Sequence, residues 1–135
     1  MELFLDTSAV VPLILREPHT PRALEIWQEG ERVWAWRWLQ VEAEAAIARR
    51  RADARAWRQW SLVSSAIVWL DLEPRSWPLL LAFNRPLRLR AADAGHLYVF
   101  HRAASVAPQL RLVCFDAELH AAARTLGLDA IGHDA

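Results

Sequence analysis

The chain predicts an α/β fold, a mainly parallel sheet covered by helices on both faces. Three observations carry that expectation. Short, continuously apolar runs recur along the chain, as strands buried on both faces require. The stretches between them are long enough, and periodic enough, to be crossover helices. Pro18, Pro21, Gly30, Pro74 and Pro78 punctuate the alternation. At 135 residues, 54% of them apolar, the chain suits one domain, 1–135, with one core. There is no internal repeat, low-complexity tract or linker.

Residues 1–5 read as a short apolar strand. "TSAVVPLILRE" then starts a helix, with Pro12 kinking it or moving its start later. Residues 21–29 read as a second helix that ends near Gly30, and residues 32–36 as a second strand. In "LQVEAEAAIARRRADARAWRQW", Val41, Ala45 and Ala48 recur at helical spacing, giving one long helix or two joined near Asp53. Residues 67–72 read as a third strand. "SWPLLLAF" is helical after Pro78, and "AADAGHLYVFHRAA" is another helix. Residues 110–115 read as a fourth strand. "DAELHAAARTLGL" is a last helix stopping around Gly127, and residues 130–131 read as a short fifth strand.

Net formal charge is zero, so no bulk field announces a polyanionic partner, although a local patch would serve. All 16 basic residues are Arg. Without a Lys there is no Schiff base, P-loop lysine or lysine general base. Cys114 stands alone, so no intrachain disulfide forms. No basic segment followed by an apolar one opens the chain, and no apolar run approaches the roughly 18 residues that span a bilayer. The expectation is a soluble, cytoplasmic protein with no membrane partner.

"LFLDTSAVV" breaks a greasy run with one carboxylate, and an unpaired buried carboxylate costs several kcal/mol. Asp6 therefore stands at an edge, is paired, or holds a metal. Asp116, in "LVCFDAEL", repeats the arrangement of apolar run, Asp, then helix. In open parallel sheets ligands bind beyond the carboxyl ends of the strands, where strand order reverses. If the second and third strands lie on one side of the first and the fourth on the other, Asp6 and Asp116 flank that crevice. Asp93 at a helix start and Glu42 in the helix after the second strand join them. Glu44 points elsewhere on that helix. Each acid alone also has a plainer reading, Asp as a helix N-cap and Glu42 as a solvated helix residue. Together, carboxylates in a small pocket repel one another, and a hard cation such as Mg²⁺ or Mn²⁺ removes that penalty. One Cys, with no HxxxH or CxxC, argues against zinc. An all-carboxylate Mg²⁺ site most often handles phosphate esters.

In these segments the chain resembles the PIN-domain family, and more narrowly its VapC-type toxin ribonucleases, over nearly its whole length. "LFLDTSAVVPLI" is similar to the family's first motif, with Asp6 as its first acid and Thr7 and Ser8 as hydrogen-bonding neighbours. "WLQVEAEAAIARR" maps Glu42 onto the family's glutamate, "LRLRAADAGHLYVF" maps Asp93 onto the third acid, and "LVCFDAELHAAARTLGL" maps Asp116 onto the fourth. The resemblance implies a PIN-like three-layer sandwich with a five-stranded parallel sheet in the order 3-2-1-4-5. It implies metal-dependent cleavage of RNA to 3′-hydroxyl and 5′-phosphate ends, with Asp6, Asp93 and Asp116 as metal ligands and Glu42 completing the catalytic set. It also implies a homodimer and a small cognate antitoxin. Thr7, Ser8, Arg88 and Arg90 are the residues expected to contact substrate. The chain differs from the family's habit at Cys114, at Trp36, and at Tyr98, Phe100 and His101.

The remaining features have two readings each. Arg49, Arg50 and Arg51 form a solvated helix face or a phosphate-binding rim. Trp34, Trp36 and Trp38 share a strand face and serve the core, a protein contact or base stacking. His96 and His120, each one turn beyond an acid, pack helices or serve the site. Two other functions compete with the nuclease: a PIN-like protein-binding scaffold, and an aspartate-based phosphatase with Asp6 as nucleophile. The latter class wants an Asp where Ser8 stands.

Overall fold

The structure, a computed structural model, describes residues 1–133. Five strands form one sheet: β1 (Glu2–Leu5), β2 (Arg32–Trp36), β3 (Ile67–Leu70), β4 (Arg111–Cys114) and β5 (Ala130–Gly132). Their order is β3-β2-β1-β4-β5, and every pairing is parallel. The expected topology is the observed one. Parallel neighbours need crossovers, and seven helices supply them: α1 (Thr7–Ile14), α2 (Thr20–Glu29), α3 (Trp38–Arg49), α4 (Ala54–Ala66), α5 (Trp77–Leu87), α6 (Ala91–Val106) and α7 (Ala117–Thr125). Among the described residues, no helix is long and apolar enough to cross a membrane.

The period of two along each strand sorts the core into two layers. Leu3, Leu5, Val33, Ala35 and Val113 face one side, where Val10, Ile26, Ile47 and Val63 of α1 to α4 cover them. Phe4, Trp36, Leu112 and Cys114 face the other, under Leu80, Leu97, Phe100 and Leu119 of α5 to α7. Central β1 is therefore apolar on both faces from Leu3 to Leu5.

Several boundaries are set by single residues. Pro12 neither delays α1 nor ends it; the helix starts at Thr7 and runs through Pro12 to Ile14. The Ala-rich stretch is two helices, because Asp53 turns extended and its carboxylate accepts the Ala56 amide at 3.1 Å, an N-cap that restarts the chain as α4. Strand β3 stops at Leu70, two residues short of expectation. Helix α5 runs past Pro86 to Leu87, and Arg88 then takes a left-handed turn (φ 57°). Asn84 holds that turn from both sides, donating to the Leu89 carbonyl and accepting its amide. Trp38 does not share a strand face with Trp34 and Trp36; it lies in the first turn of α3, where its ring stacks on Trp36.

Candidate active site

The carboxyl ends of β1 and β4 lie side by side where the strand order reverses, and the chain puts an Asp just beyond each. Asp6 occupies the N-cap position of α1 but its carboxylate makes no cap bond. It is turned inward, 2% exposed, and accepts the Ser8 hydroxyl at 2.7 Å. Ser8 in turn accepts the amide of Phe115 at 2.8 Å, tying the β1–α1 turn to the end of β4. Asp116 does act as a cap, accepting the Glu118 amide at a long 3.4 Å, and is half-buried. Asp93 is not a cap: α6 begins at Ala91, so Asp93 sits inside the first turn, also half-buried.

Glu42 reaches the same end of the sheet from α3, on the opposite layer from α6. There it meets His96 of α6 and Thr7 of α1. Glu42 Oε1 accepts the Thr7 hydroxyl at 2.7 Å and lies 2.6 Å from His96 Nε2, with Thr7 Oγ1 3.2 Å from that nitrogen. A carboxylate can only accept, so both neighbours donate to it. Glu44 turns away, as expected, and accepts the Trp60 indole N–H at 3.0 Å.

The acids feel one another. Burial pushes Asp6 up to about 7 from an ordinary 3.8; His96 and the Ser8 hydrogen bond oppose the rise and the charge of Asp93 adds to it. Asp93 is raised by its own burial and then by Asp116 and Glu42, against His96 and Arg90. Glu42 goes the other way: burial alone would raise it, but the hydrogen bonds from His96 and Thr7 outweigh burial and hold it below its ordinary value. Cys114, beneath the cleft at the end of β4, is raised by burial and by the fields of Asp6, Asp116 and Asp93. The four acids expected from sequence are thus brought to one edge of the sheet by four separate helix starts. Among the described residues, however, no three His, Cys, Asp or Glu side chains are gathered into a metal-holding group. The donor set, carboxylate oxygens in one another's field, still has the chemistry of a hard divalent cation site.

The residues expected at substrate divide. The Thr7 and Ser8 hydroxyls are committed to Glu42 and Asp6 and position those carboxylates. Arg88 and Arg90 are exposed at the junction before α6, and Arg90 lies 3.9 Å from Glu118. Arg49, Arg50 and Arg51 are exposed at the far end of α3, where Arg50 pairs with Glu17 at 2.9 Å. His120 packs its ring against His133. His96 is the residue whose place the sequence left open: at 1% exposure it is buried like a packing residue, yet it bonds Glu42. Its spacing one turn beyond Asp93 was the available signal. A separate groove of about 840 Å³ between α1, α2 and α4, lined by Leu13, Leu24, Arg55, Arg58 and Leu62, contains none of the four acids.

No family profile matches the chain, and no curated protein sequence does. Solved structures do. The Mycobacterium tuberculosis toxin VapC20, described as cleaving the sarcin-ricin loop, is 17% identical with a TM-score of 0.66, over 89% of this chain and 94% of its own. PAE2754 from Pyrobaculum aerophilum is 23% identical with a TM-score of 0.67, over 96% and 83%. VapBC2 from Rickettsia felis, bound to a DNA fragment from its promoter, matches at 14% identity and a TM-score of 0.68, over 99% and 100%. Identity this low speaks to architecture alone, and the architecture agrees with the sheet order and layers above: the chain has a PIN-like fold, shared with these solved structures.

Proposed function

We propose that this chain is a Mg²⁺-dependent endoribonuclease, the toxin of a toxin–antitoxin pair. The observation that carries the reading is the approach of Asp6, Glu42, Asp93 and Asp116 to the switch point of the sheet, where burial and neighbouring charge raise Asp6 and Asp93 and hydrogen bonds hold Glu42 down. Asp6, Asp93 and Asp116 are the residues that would hold Mg²⁺ or Mn²⁺. When bound, such an ion neutralises phosphate charge and acidifies a coordinated water.

The chain's own contribution is placement. Ser8 orients Asp6 and ties it to the end of β4. Thr7 and His96 keep Glu42 ionised at the opposite wall. Arg88 and Arg90, exposed at the junction before α6, are the residues that would meet a phosphate backbone entering the cleft. Hydrolysis adds a water oxygen to phosphorus and releases the 3′ oxygen as a hydroxyl, leaving a 5′-phosphate. An antitoxin partner is supported by the likeness to VapBC2, and a ribonuclease activity by the likeness to VapC20. A homodimer and a cytoplasmic setting belong to the same reading.

The test is cleavage of RNA by purified protein. Activity is expected with Mg²⁺ or Mn²⁺, and its loss in excess EDTA and in Asp6→Asn. Cleavage that proceeds at the same rate in EDTA contradicts the reading. A second reading, a PIN-like protein-binding scaffold, draws on the exposed indoles of Trp38, Trp57 and Trp77, since Trp is enriched at interfaces. Isothermal titration with Mn²⁺ separates the two. Binding to wild type that Asp6→Asn weakens supports the nuclease, and identical traces support the scaffold.

A further inference from the structure

We propose that His96 is a positioning residue for Glu42, and that the acidic cleft is thereby divided between three aspartates and one glutamate held apart from them. The inference rests on the nuclease reading above. Its basis is the geometry around one imidazole. Nε2 lies 2.6 Å from Glu42 Oε1 and 3.2 Å from Thr7 Oγ1, and the Thr7 hydroxyl donates to the same carboxylate oxygen at 2.7 Å. Two side chains, from α6 and α1, therefore close on a single carboxylate oxygen of α3.

The imidazole cannot swing away. Its ring meets the edge of Trp36 at 5.2 Å between centroids, nearly perpendicular (84°). Trp36 is itself pressed against the backbone of α6, because Gly95 carries no side chain: a Cβ there would stand 2.2 Å from the indole. His96 is 1% exposed, and its Nδ1 is buried with no partner. A residue kept only for packing would do better as Leu, which leaves no buried polar atom unsatisfied. The retained imidazole is explained by the bond at Nε2.

The bond also joins the two helical layers. Glu42 lies on α3, over one face of the sheet, and His96 on α6, over the other. The strut spans the carboxyl edge, so the distance from Glu42 to Asp93, three residues before His96 on the same helix, is set by one hydrogen bond. Loss of such an orienting partner costs on the order of 10- to 100-fold in activity.

The experiment compares RNA cleavage by wild type, His96→Leu and His96→Gln in Mn²⁺, each confirmed folded by circular dichroism. His96→Leu is expected to lower kcat by about 10- to 100-fold while KM changes less than about two-fold. His96→Gln, whose amide nitrogen reaches the place of Nε2, restores most of the rate. In a Glu42→Gln background His96→Leu adds no further loss. A His96→Leu rate equal to wild type, or an undiminished loss in the Glu42→Gln background, overturns the proposal while leaving the nuclease intact. Wild type that cuts no RNA with either metal overturns both. Nitrogen-15 spectra of the imidazoles give a readout that needs no activity and no folded His96→Leu: the His96 Nε2 signal moves on Glu42→Gln if the pair exists in solution, and an unmoved signal overturns the proposal.

Discussion

Asp6 is 2% exposed and accepts one hydroxyl, so its charge is poorly compensated by the protein alone. The consequence is a pH dependence with a definite sign. Its folded value of about 7 stands above the ordinary 3.8, so between those values the native state holds a proton that the unfolded chain has released. Stability of metal-free protein therefore falls as pH rises from about 4 to about 7, by about 4 kcal/mol for this group. Asp93, raised as well, adds in the same direction. Glu42, lowered, contributes the opposite way, its stabilisation being lost as pH falls below the ordinary carboxylate range. Thermal melting in EDTA across this window is expected to show the decline, and Asp6→Asn to remove most of it. A profile that Asp6→Asn leaves unchanged would contradict the burial argument. The identity of this acid was legible from one interrupted apolar run. The partner of Glu42 was not, since no spacing rule tells a buried packing histidine from one that bonds a carboxylate 54 positions away.

At the scale of the element, α6 carries Asp93 and His96 and also a close approach to Trp36 at Gly95. Gly95 costs the helix about 1 kcal/mol relative to Ala. Replacing it by Ala recovers that amount but drives a Cβ into Trp36, a ring only 7% exposed, wedged between β2 and α6. Overpacking of this kind costs about 1–3 kcal/mol, so the clash wins and Gly95→Ala is expected to destabilise. Trp36→Leu in the same chain should recover stability, which urea denaturation measures directly. The same contact explains how a bulky ring is accommodated at Trp36, where the chain differs from the habit of the family it resembles: the space was made on the facing helix. Helix ends were read well where a cap or a glycine marked them, as at Asp53 and Gly30, and less well where tertiary packing carries a helix through proline, as at Pro12 and Pro86.

Across the whole molecule, the two apolar layers share one sheet, and β1 contributes to both through Leu3 and Leu5 on one face and Phe4 on the other. Neither layer can lose its packing without exposing β1, so the domain is expected to unfold in one step. Ile26→Ala in the first layer and Leu97→Ala in the second should each lower stability by about 2–5 kcal/mol. Near- and far-ultraviolet circular dichroism should give coincident transitions in both variants; separate transitions would show that the layers melt independently.

Local pattern in the sequence was enough to give the alternation of strands and helices and to single out four acids as candidates, because these follow from periodicity and from carboxylates placed at the ends of apolar runs. Only the tertiary structure decided that Asp6 is buried rather than capping its helix, that Thr7 and Ser8 serve carboxylates within the protein, and that His96 holds Glu42 across the sheet edge. The physical reason is range. Periodicity and capping act over a few residues, whereas burial, mutual charge and a hydrogen bond between opposite layers exist only once the chain has brought distant segments together.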